Sequence, residues 1–341
     1  MIWIAVDAMG GDDAPRNVVD GALAAVRHFD LGVLLVGRAD AIDVELKRHD
    51  VGPNGSAEID RSRVRIVHTP DVVGMEESPS AALRRKPASS IKVAADAVAN
   101  GQASALVSAG HTGATVMAAH SAFGMLQGVD RPALAAVIPT RTRPALLLDV
   151  GASIECRPPH LLQFAIMGSM FARVVYDIQK PRVGLLSIGH EETKGNELTR
   201  EAHRLLKAAP LNFIGNVEAR DVYSGDADVI VCDGFTGNIA LKTSEGLVEL
   251  VEGLLSEELS STITNRVGTL LTRRALRHFR KRVDYSEYGG APLLGVDGVT
   301  IVGHGRSSAK AIRNAVAMAY RFAHTRFIER VGQEISTAAP A

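Results

Sequence analysis

Aromatic side chains are scarce in this chain. Phe, Trp and Tyr make up 4% of 341 residues, whereas 46% of residues are hydrophobic, so the core is aliphatic. A charge excess is also lacking: Lys and Arg total 38, as do Asp and Glu, which gives no global signature of nucleic-acid binding. The two cysteines, Cys156 and Cys232, are too few for a disulfide framework and fit a reducing compartment. No run of about 18 apolar residues occurs, so no membrane-spanning helix is expected. The N-terminal MIWIAVDAMGGDD has no basic region, and its apolar run is too short for a secretory signal. The expectation is a soluble cytoplasmic protein. The first strand is followed by AMGGDD and not by GxGxxG, and neither a GxxxxGK[ST] loop nor a GxSxG elbow occurs. No His, Cys, Asp and Glu grouping has metal-ligand spacing, so no metal site is expected.

What is abundant is glycine, with 32 residues, placed between apolar runs that alternate with helical segments. Strands are expected at Ile2–Val6, Val33–Val36, Val64–His68, Ala133–Ile138, Ala145–Val150, Val183–Ile188, Asn212–Val217 and Val229–Cys232. Helices are expected at Arg16–Phe29, Ala39–Arg48, Ile91–Ala99, Thr112–Leu126, Pro158–Ile178 and Leu198–Ala209. Such alternation predicts an α/β fold with a mostly parallel central sheet and helices on both faces. No linker divides the chain, so residues 1–333 read as one α/β catalytic domain. The last strand, Ile301–Gly305, leads into one helix over Ser307–Val331, and the tail over 334–341 reads as disordered.

Two segments repeat one pattern. Asp228–Gly246 reads as a buried strand, a tight loop at Asp233–Gly237 and a helix opening at Asn238, with Thr236 and Asn238 as capping residues. Ala103–Thr115 is again a strand, then Gly-x-Thr-Gly, then a helical run. Gly234 and Gly237 permit the tight backbone, and each loop aims N–H groups and the positive end of a helix at one place, which suits an anion. Two such units predict two loops facing one cleft. The loops Asp7–Asp12, Ser108–Gly113 and Asp149–Ser153 (through Gly151) also end strands, where sites in parallel sheets lie.

Other residues carry charge or chemistry. Lys194, in the loop GHEETKGNE with Asn196, is either a charge facing the anion or a plain surface lysine. His111, His190 and His304 each adjoin a glycine loop. Cys232 ends a buried strand and reads as a small core residue. Arg84, Arg85 and Lys86 form a basic cluster that is either a solvated helix end or a docking patch. A wide apolar stripe from Leu241 to Leu259 is expected in a core or a dimer interface. From Leu259 to Val283 there are seven Lys or Arg and no acid, a pattern of membrane-surface or acidic-partner contact, or else of a charged surface helix.

In order along the chain, the segments AVDAMGGDDAP, SPSAALRRKPASSI, SAGHTGA, RPALA, LLDVGAS, VGLLSIGHEETKGNE, NFIGNVEARD, DVIVCDGFTGN, DYSEYGGAPLLGVDG and HGRSSAKA run from residue 4 to about residue 311. This ordered set resembles the acyl-carrier-protein:phosphate acyltransferases of bacterial phospholipid synthesis (PlsX). The family pattern has Asn where this chain has His111, Ser153 and Ser187, Glu at His190 and Gly at Ala219.

The resemblance implies a homodimeric enzyme related in fold to phosphotransacetylases and isocitrate-type dehydrogenases, with a helical hairpin over about 240–283. Its implied reaction converts acyl-ACP and inorganic phosphate into acyl phosphate and free acyl carrier protein, with no cofactor. The product goes to a membrane glycerol-3-phosphate acyltransferase, and the enzyme associates peripherally with the cell membrane. On that reading, Lys194, Thr236, Asn238, His111 and His304 are the expected catalytic groups. Asp7, Gly10, Gly11, Asp12, Ser108, Thr112 and Gly113 line the phosphate and substrate site. Asp149, Gly151, Ser153, Asn196, Asp233, Gly234, Gly237, Gly289 and Gly290 complete it. The acyl carrier protein or anionic lipid meets Arg84, Arg85 and Lys86, together with Leu270, Leu271, Arg273, Arg274, Arg277 and Arg280.

Overall fold

Local sequence dictates a regular alternation of elements. A computed structural model of the chain describes residues 1–50, 60–283 and 289–338. The first half comprises β1 (Ile2–Asp7), α1 (Arg16–His28), β2 (Leu31–Gly37), α2 (Ala39–Asp50), β3 (Val64–His68), α3 (Pro79–Arg85), α4 (Ser90–Ala99), β4 (Ala105–Ser108) and α5 (Thr112–Phe123). Then come β5 (Ala133–Ile138), β6 (Ala145–Leu148), α6 (Pro158–Tyr176), β7 (Val183–Ser187), α7 (Glu197–Ala208), β8 (Phe213–Glu218) and β9 (Val229–Val231). The chain continues through α8 (Gly234–Ser260), α9 (Ile263–Val283), β10 (Ala291–Leu294), β11 (Val299–Val302), α10 (Ala309–His324) and α11 (Phe327–Ala338).

The strands form one sheet in the order β3-β2-β1-β4-β11-β10-β5-β6-β9-β7-β8. Pairing is parallel from β3 to β11 and again from β6 to β8. Among the described residues, only the three ladders around β10 and β5 are antiparallel. Helices cover both faces, which is why β1, β2, β4 and β5 are apolar without alternation. Ile4 and Val6 bury into one core layer with Leu23, Val26 and Ile312, while Ala5 buries into the other with Leu106, Ala94 and Leu147.

The three antiparallel ladders reverse strand direction between the two halves. In a flat sheet the carboxyl ends of β4 and β9 would therefore point to opposite edges. Five interstrand steps separate them, and at about 20–25° per step the sheet turns by roughly 100–125° between β4 and β9. Twist thus carries the loops after the two strands back towards each other.

Several expectations need correction. The helix after β9 opens at Gly234 rather than Asn238, capped by Asp233, whose carboxylate accepts from the Thr236 N–H and hydroxyl. The terminal helix is two helices, broken before Phe327 where Arg326 adopts φ 51°. Helix α11 runs to Ala338, so residues 334–338 are helical, and 339–341 lie outside the described residues. Strand β10 was not foreseen, and helix α3 only as a helix end at Arg84–Lys86. The apolar stripe of α8 is not in this chain's core: Leu247, Leu250 and Leu254 are 60, 58 and 54% exposed.

Candidate active site

The site begins with three loops locked together by backbone bonds. The Asp12 N–H donates to the Gly305 carbonyl, 2.8 Å, joining the loops after β1 and β11. The Gly303 N–H donates to Ser108 O, 2.7 Å, joining the loop after β11 to β4. Asp7 sits beneath them, almost wholly buried. It accepts from the Ser108 hydroxyl at 2.7 Å and the Met9 N–H at 3.2 Å. Burial raises its carboxyl above the ordinary range against the pull of these donors. Gly10 is required here, because a Cβ would stand 2.6 Å from both Gly110 N and Asp7 Oδ2.

The second half contributes Asp149 at the end of β6. Its Oδ1 accepts from the N–H groups of Leu134, Gly151 and Ala152 at 2.8–3.1 Å, and its Oδ2 from Ser153 at 2.5 Å. Burial dominates even so and lifts the carboxyl to about 6. This carboxylate shapes the loop, and Gly234 packs against it, since a Cβ there would meet Asp149 Oδ2 at 2.6 Å. The Ser153 hydroxyl is spent on Pro132 O, 2.8 Å. Burial and the Asp149 charge push the Cys232 thiol well up, and burial first lifts Cys156 to about 11. Neither is an activated nucleophile.

These pieces enclose a cavity of about 520 Å³. Asp12, Gly110, Thr112, Gly113, Gly151, Asn238, Gly290 and His304 line its polar side. Leu134, Ala136, Val137, Val150, Leu241 and Val302 form an apolar wall on β5, the loop after β6, α8 and β11. Only the first of the two Gly-x-Thr-Gly units lines this cavity, through Gly110, Thr112 and Gly113; no residue of Gly234–Gly237 does, and the two helix starts differ in chemistry. In the first, His111 caps α5 by accepting the Ala114 N–H through Nδ1, 3.4 Å, and its carbonyl takes Thr115. The Thr112 and Gly113 N–H groups then have no acceptor within the helix, and both residues line the cavity. In the second, the Asp233 carboxylate occupies the helix start, and the Gly234 N–H donates to Ser153 O, 2.9 Å. That end of α8 is already neutralised, and the helix reaches the cavity from its second turn onward, through Asn238, Leu241, Lys242 and Glu245.

Of the expected site residues, Lys194 and Asn196 do not line this cavity: they lie after β7, where Asn196 caps α7. Thr236 turns to Asp233, and Gly10, Gly11, Ser108 and Ser153 support the loops from behind. Gly289 packs against the α10 backbone, where a Cβ would meet Asn314 C at 2.5 Å. Lys86 is held by Glu77 and Val72 O, leaving Arg84 and Arg85 exposed on α3. On α9, Leu270 and Leu271 are 68 and 81% exposed, and Arg273, Arg274 and Arg277 are exposed too. The Arg280 side chain and residues 284–288 of the tyrosine-rich loop lie outside the described residues.

Two cationic residues at the cavity escaped the sequence reading: Lys242, 2.7 Å from Glu245, and Arg306, 3.2 Å from Glu249. The signal for Lys242 was its place four residues after Asn238 on one helix face. His304 is pushed below its ordinary pKa by burial and then by Lys242, so it is neutral at pH 7. Its Nδ1 accepts the Arg306 N–H, 3.1 Å, which puts the ring proton on Nε2.

A phosphotransacetylase from Streptococcus pyogenes superposes with a TM-score of 0.63 at 17% identity, over 95% of this chain and 94% of that one. Another from Staphylococcus aureus gives 0.58 at 15%, over 95 and 94%. The fold is therefore that of the phosphotransacetylases. A family profile described as "Fatty acid synthesis protein" matches residues 2–330. The phosphate acyltransferase of Pelotomaculum thermopropionicum is 47% identical over 334 residues, 98% of this chain and 95% of that one. That of Heliobacterium modesticaldum is 51% identical over 332 residues, 97% of each chain. The chain belongs to this phosphate acyltransferase family and is, with its relatives, an acyltransferase.

Proposed function

We propose that the chain transfers an acyl group from acyl carrier protein to inorganic phosphate, giving acyl phosphate and free carrier for phospholipid synthesis. The observation that carries this reading is the cavity's two-sided lining: unpaired helix N–H groups and cations beside an aliphatic wall. An oxyanion fits the first and a fatty chain the second. A phosphate oxygen attacks the thioester carbonyl, the carbonyl oxygen takes up negative charge, and the thiolate leaves. The Thr112 and Gly113 N–H groups, Asn238, Lys242 and Arg306 orient the phosphate. The neutral His304, with Nε2–H as donor, stabilises the developing oxyanion. Its role is donation rather than proton abstraction. Lys194 and His111 stand further back, as loop and capping groups.

The carrier is acidic, and the exposed Arg84 and Arg85 on α3 suit its docking. Helix α3 opens at Pro79, against which a Cβ at Gly113 would lie 2.9 Å away, so the patch adjoins the site. The exposed stripe of α8 suits a second copy of the chain. The Leu270–Leu271 ridge of α9, with Arg273, Arg274 and Arg277, suits an anionic membrane, beside which a glycerol-3-phosphate acyltransferase receives the product. No helix among the described residues is long and apolar enough to cross a membrane.

The test is hydroxylamine trapping of acyl phosphate from acyl-ACP and phosphate. A hydroxamate formed only with enzyme supports the reading, and its absence sinks it. Running acyl-CoA beside acyl-ACP decides the donor, a choice kept open by the phosphotransacetylase fold.

A further inference from the structure

Away from the acyl-transfer cavity, the loop after β7 and the turn after β8 bring together three side chains that the sequence spacing did not suggest. One ligand atom each from His190, Glu218 and Asp221 lies within 4.8 Å of the other two. His190 Nδ1 is 3.3 Å from the Asn216 carbonyl oxygen. That oxygen only accepts, so the ring proton sits on Nδ1 and the Nε2 lone pair points the other way. It meets Asp221 Oδ2 at 3.2 Å and Glu218 Oε1 at 3.6 Å. Asp221 Oδ2 is a buried atom without a hydrogen-bond partner.

Three lone pairs converging on one point repel each other unless a cation lies between them. A proton on Nε2 would serve the nearer carboxylate, while 3.6 Å is too long for a hydrogen bond to the other. A tetrahedral zinc ion fits better. With nitrogen and oxygen ligands at about 2.0–2.2 Å, its donors stand about 3.3–3.6 Å apart, close to the 3.2 and 3.6 Å that separate His190 Nε2 from the two carboxylates. The surrounding bonds hold the groups as a metal site requires. A ligating histidine donates its other N–H to a carbonyl, as His190 does to Asn216. The Asn216 amide donates to Glu191 O at 2.9 Å, and His203 Nδ1 lies 2.9 Å from its oxygen, which ties the loop to β8. Arg220 Nε lies 3.0 Å from Glu218 Oε2, leaving Oε1 turned to His190. Arg220 also comes to 3.8 Å from Asp221 Oδ2, but it is 74% exposed, so its charge is screened and it does not fill the central point.

We propose that His190, Glu218 and Asp221 bind one divalent cation of the zinc class, with a fourth position left to water. The ion pins the loop carrying Lys194 to the end of β8. The experiment titrates Zn²⁺ into untagged, chelator-stripped full-length protein in a phosphate-free buffer, by calorimetry. One Zn²⁺ per chain is expected. Affinity should fall at least tenfold in His190→Gln, Glu218→Gln and Asp221→Asn. Co²⁺ in place of Zn²⁺ should give the visible bands of a tetrahedral site in the parent protein and not in His190→Gln. Unfolding midpoints in chelator establish that each variant is folded. The absence of saturable binding to the parent protein, or unchanged affinity in any one folded variant, overturns the proposal.

Discussion

Gly237→Ala is the substitution whose effect the structure fixes most tightly. Gly237 is the fourth residue of α8 and is buried. A Cβ there would stand 1.9 Å from the Asp149 carbonyl oxygen and 2.7 Å from Cys232 Sγ. Neither neighbour is a flexible side-chain end. The Asp149 N–H donates to Cys232 O, and Cys232 N–H to Leu148 O, so both belong to the β6–β9 ladder. Either α8 or the ladder must move by more than 1 Å. Overpacking of this kind costs about 1–3 kcal/mol. Alanine in a helix regains up to about 1 kcal/mol over glycine, which would mask part of that loss.

The masking term cancels against a control in the same helix. At Gly246 and Gly253 a Cβ would meet nothing within 4 Å. Gly246→Ala should therefore stabilise the protein by up to about 1 kcal/mol, and Gly237→Ala should lie about 1–3 kcal/mol below it in urea unfolding. The effect on rate is larger. Asn238 follows directly, and Gly151 packs on it, with a Cβ position 3.8 Å from Asn238 Cγ. Displacing reacting groups by about 1 Å can cost about 100-fold. Hydroxamate formation by Gly237→Ala should fall about that far while Gly246→Ala stays at the parent rate. If the two variants match in both stability and turnover, the close approach of α8 to Asp149 is not what sets the site.

Further outcomes follow from charges. Lys242→Ala and Arg306→Ala should each lower kcat/KM for acyl transfer at least tenfold, or about 1.4 kcal/mol; an equal loss in Lys194→Ala would bring the loop after β7 into the site. Asp149, lifted by burial from 3.8 to about 6, binds its proton more tightly in the folded state, so its contribution falls by about 3 kcal/mol as pH rises through that window. The stability of Asp149→Asn relative to the parent should therefore be higher at pH 7 than at pH 4 by about that amount, and a constant difference would refute the shift. Asp228 behaves in the opposite sense. Its side chain is 1% exposed, and although burial alone would raise its carboxyl, bonds from the Arg182 side chain and N–H hold it below the ordinary range. Asp228→Asn should lose about 3 kcal/mol at neutral pH, because it unpairs a buried charge cluster. The gap should begin to narrow as pH falls through the ordinary carboxylate range, where the unfolded chain's carboxylate takes its proton, and close only at lower pH, where the depressed folded carboxyl does so too.

Much of the sheet was legible because its strands are buried on both faces, which leaves uninterrupted aliphatic runs such as Leu31–Gly37 and Ala133–Ile138. Strand β10 was not, because Ala291–Leu294 is four residues long, contains Pro292 and follows a glycine pair. Its pairing depends on β5 and β11, which lie far off in the chain. The break between α10 and α11 was hidden because no glycine or proline marks it; the turn falls on Arg326. The site was legible as a set of loops but not as a set of contacts.

The Gly-x-Thr-Gly repeat shows why. Gly110–Gly113 and Gly234–Gly237 have the same spacing, and both follow strands that end at one cleft. The residue before the second repeat is Asp233, and before the first it is Ala109. A carboxylate at the helix start satisfies the donors that an anion would otherwise take, and its charge repels that anion. In the first repeat the cap is His111, inside the motif, and it takes only the Ala114 N–H through its ring. On the proposed function, one residue outside the shared pattern therefore decides which loop is left to take phosphate and which one carries Asn238 and Lys242 to the cavity.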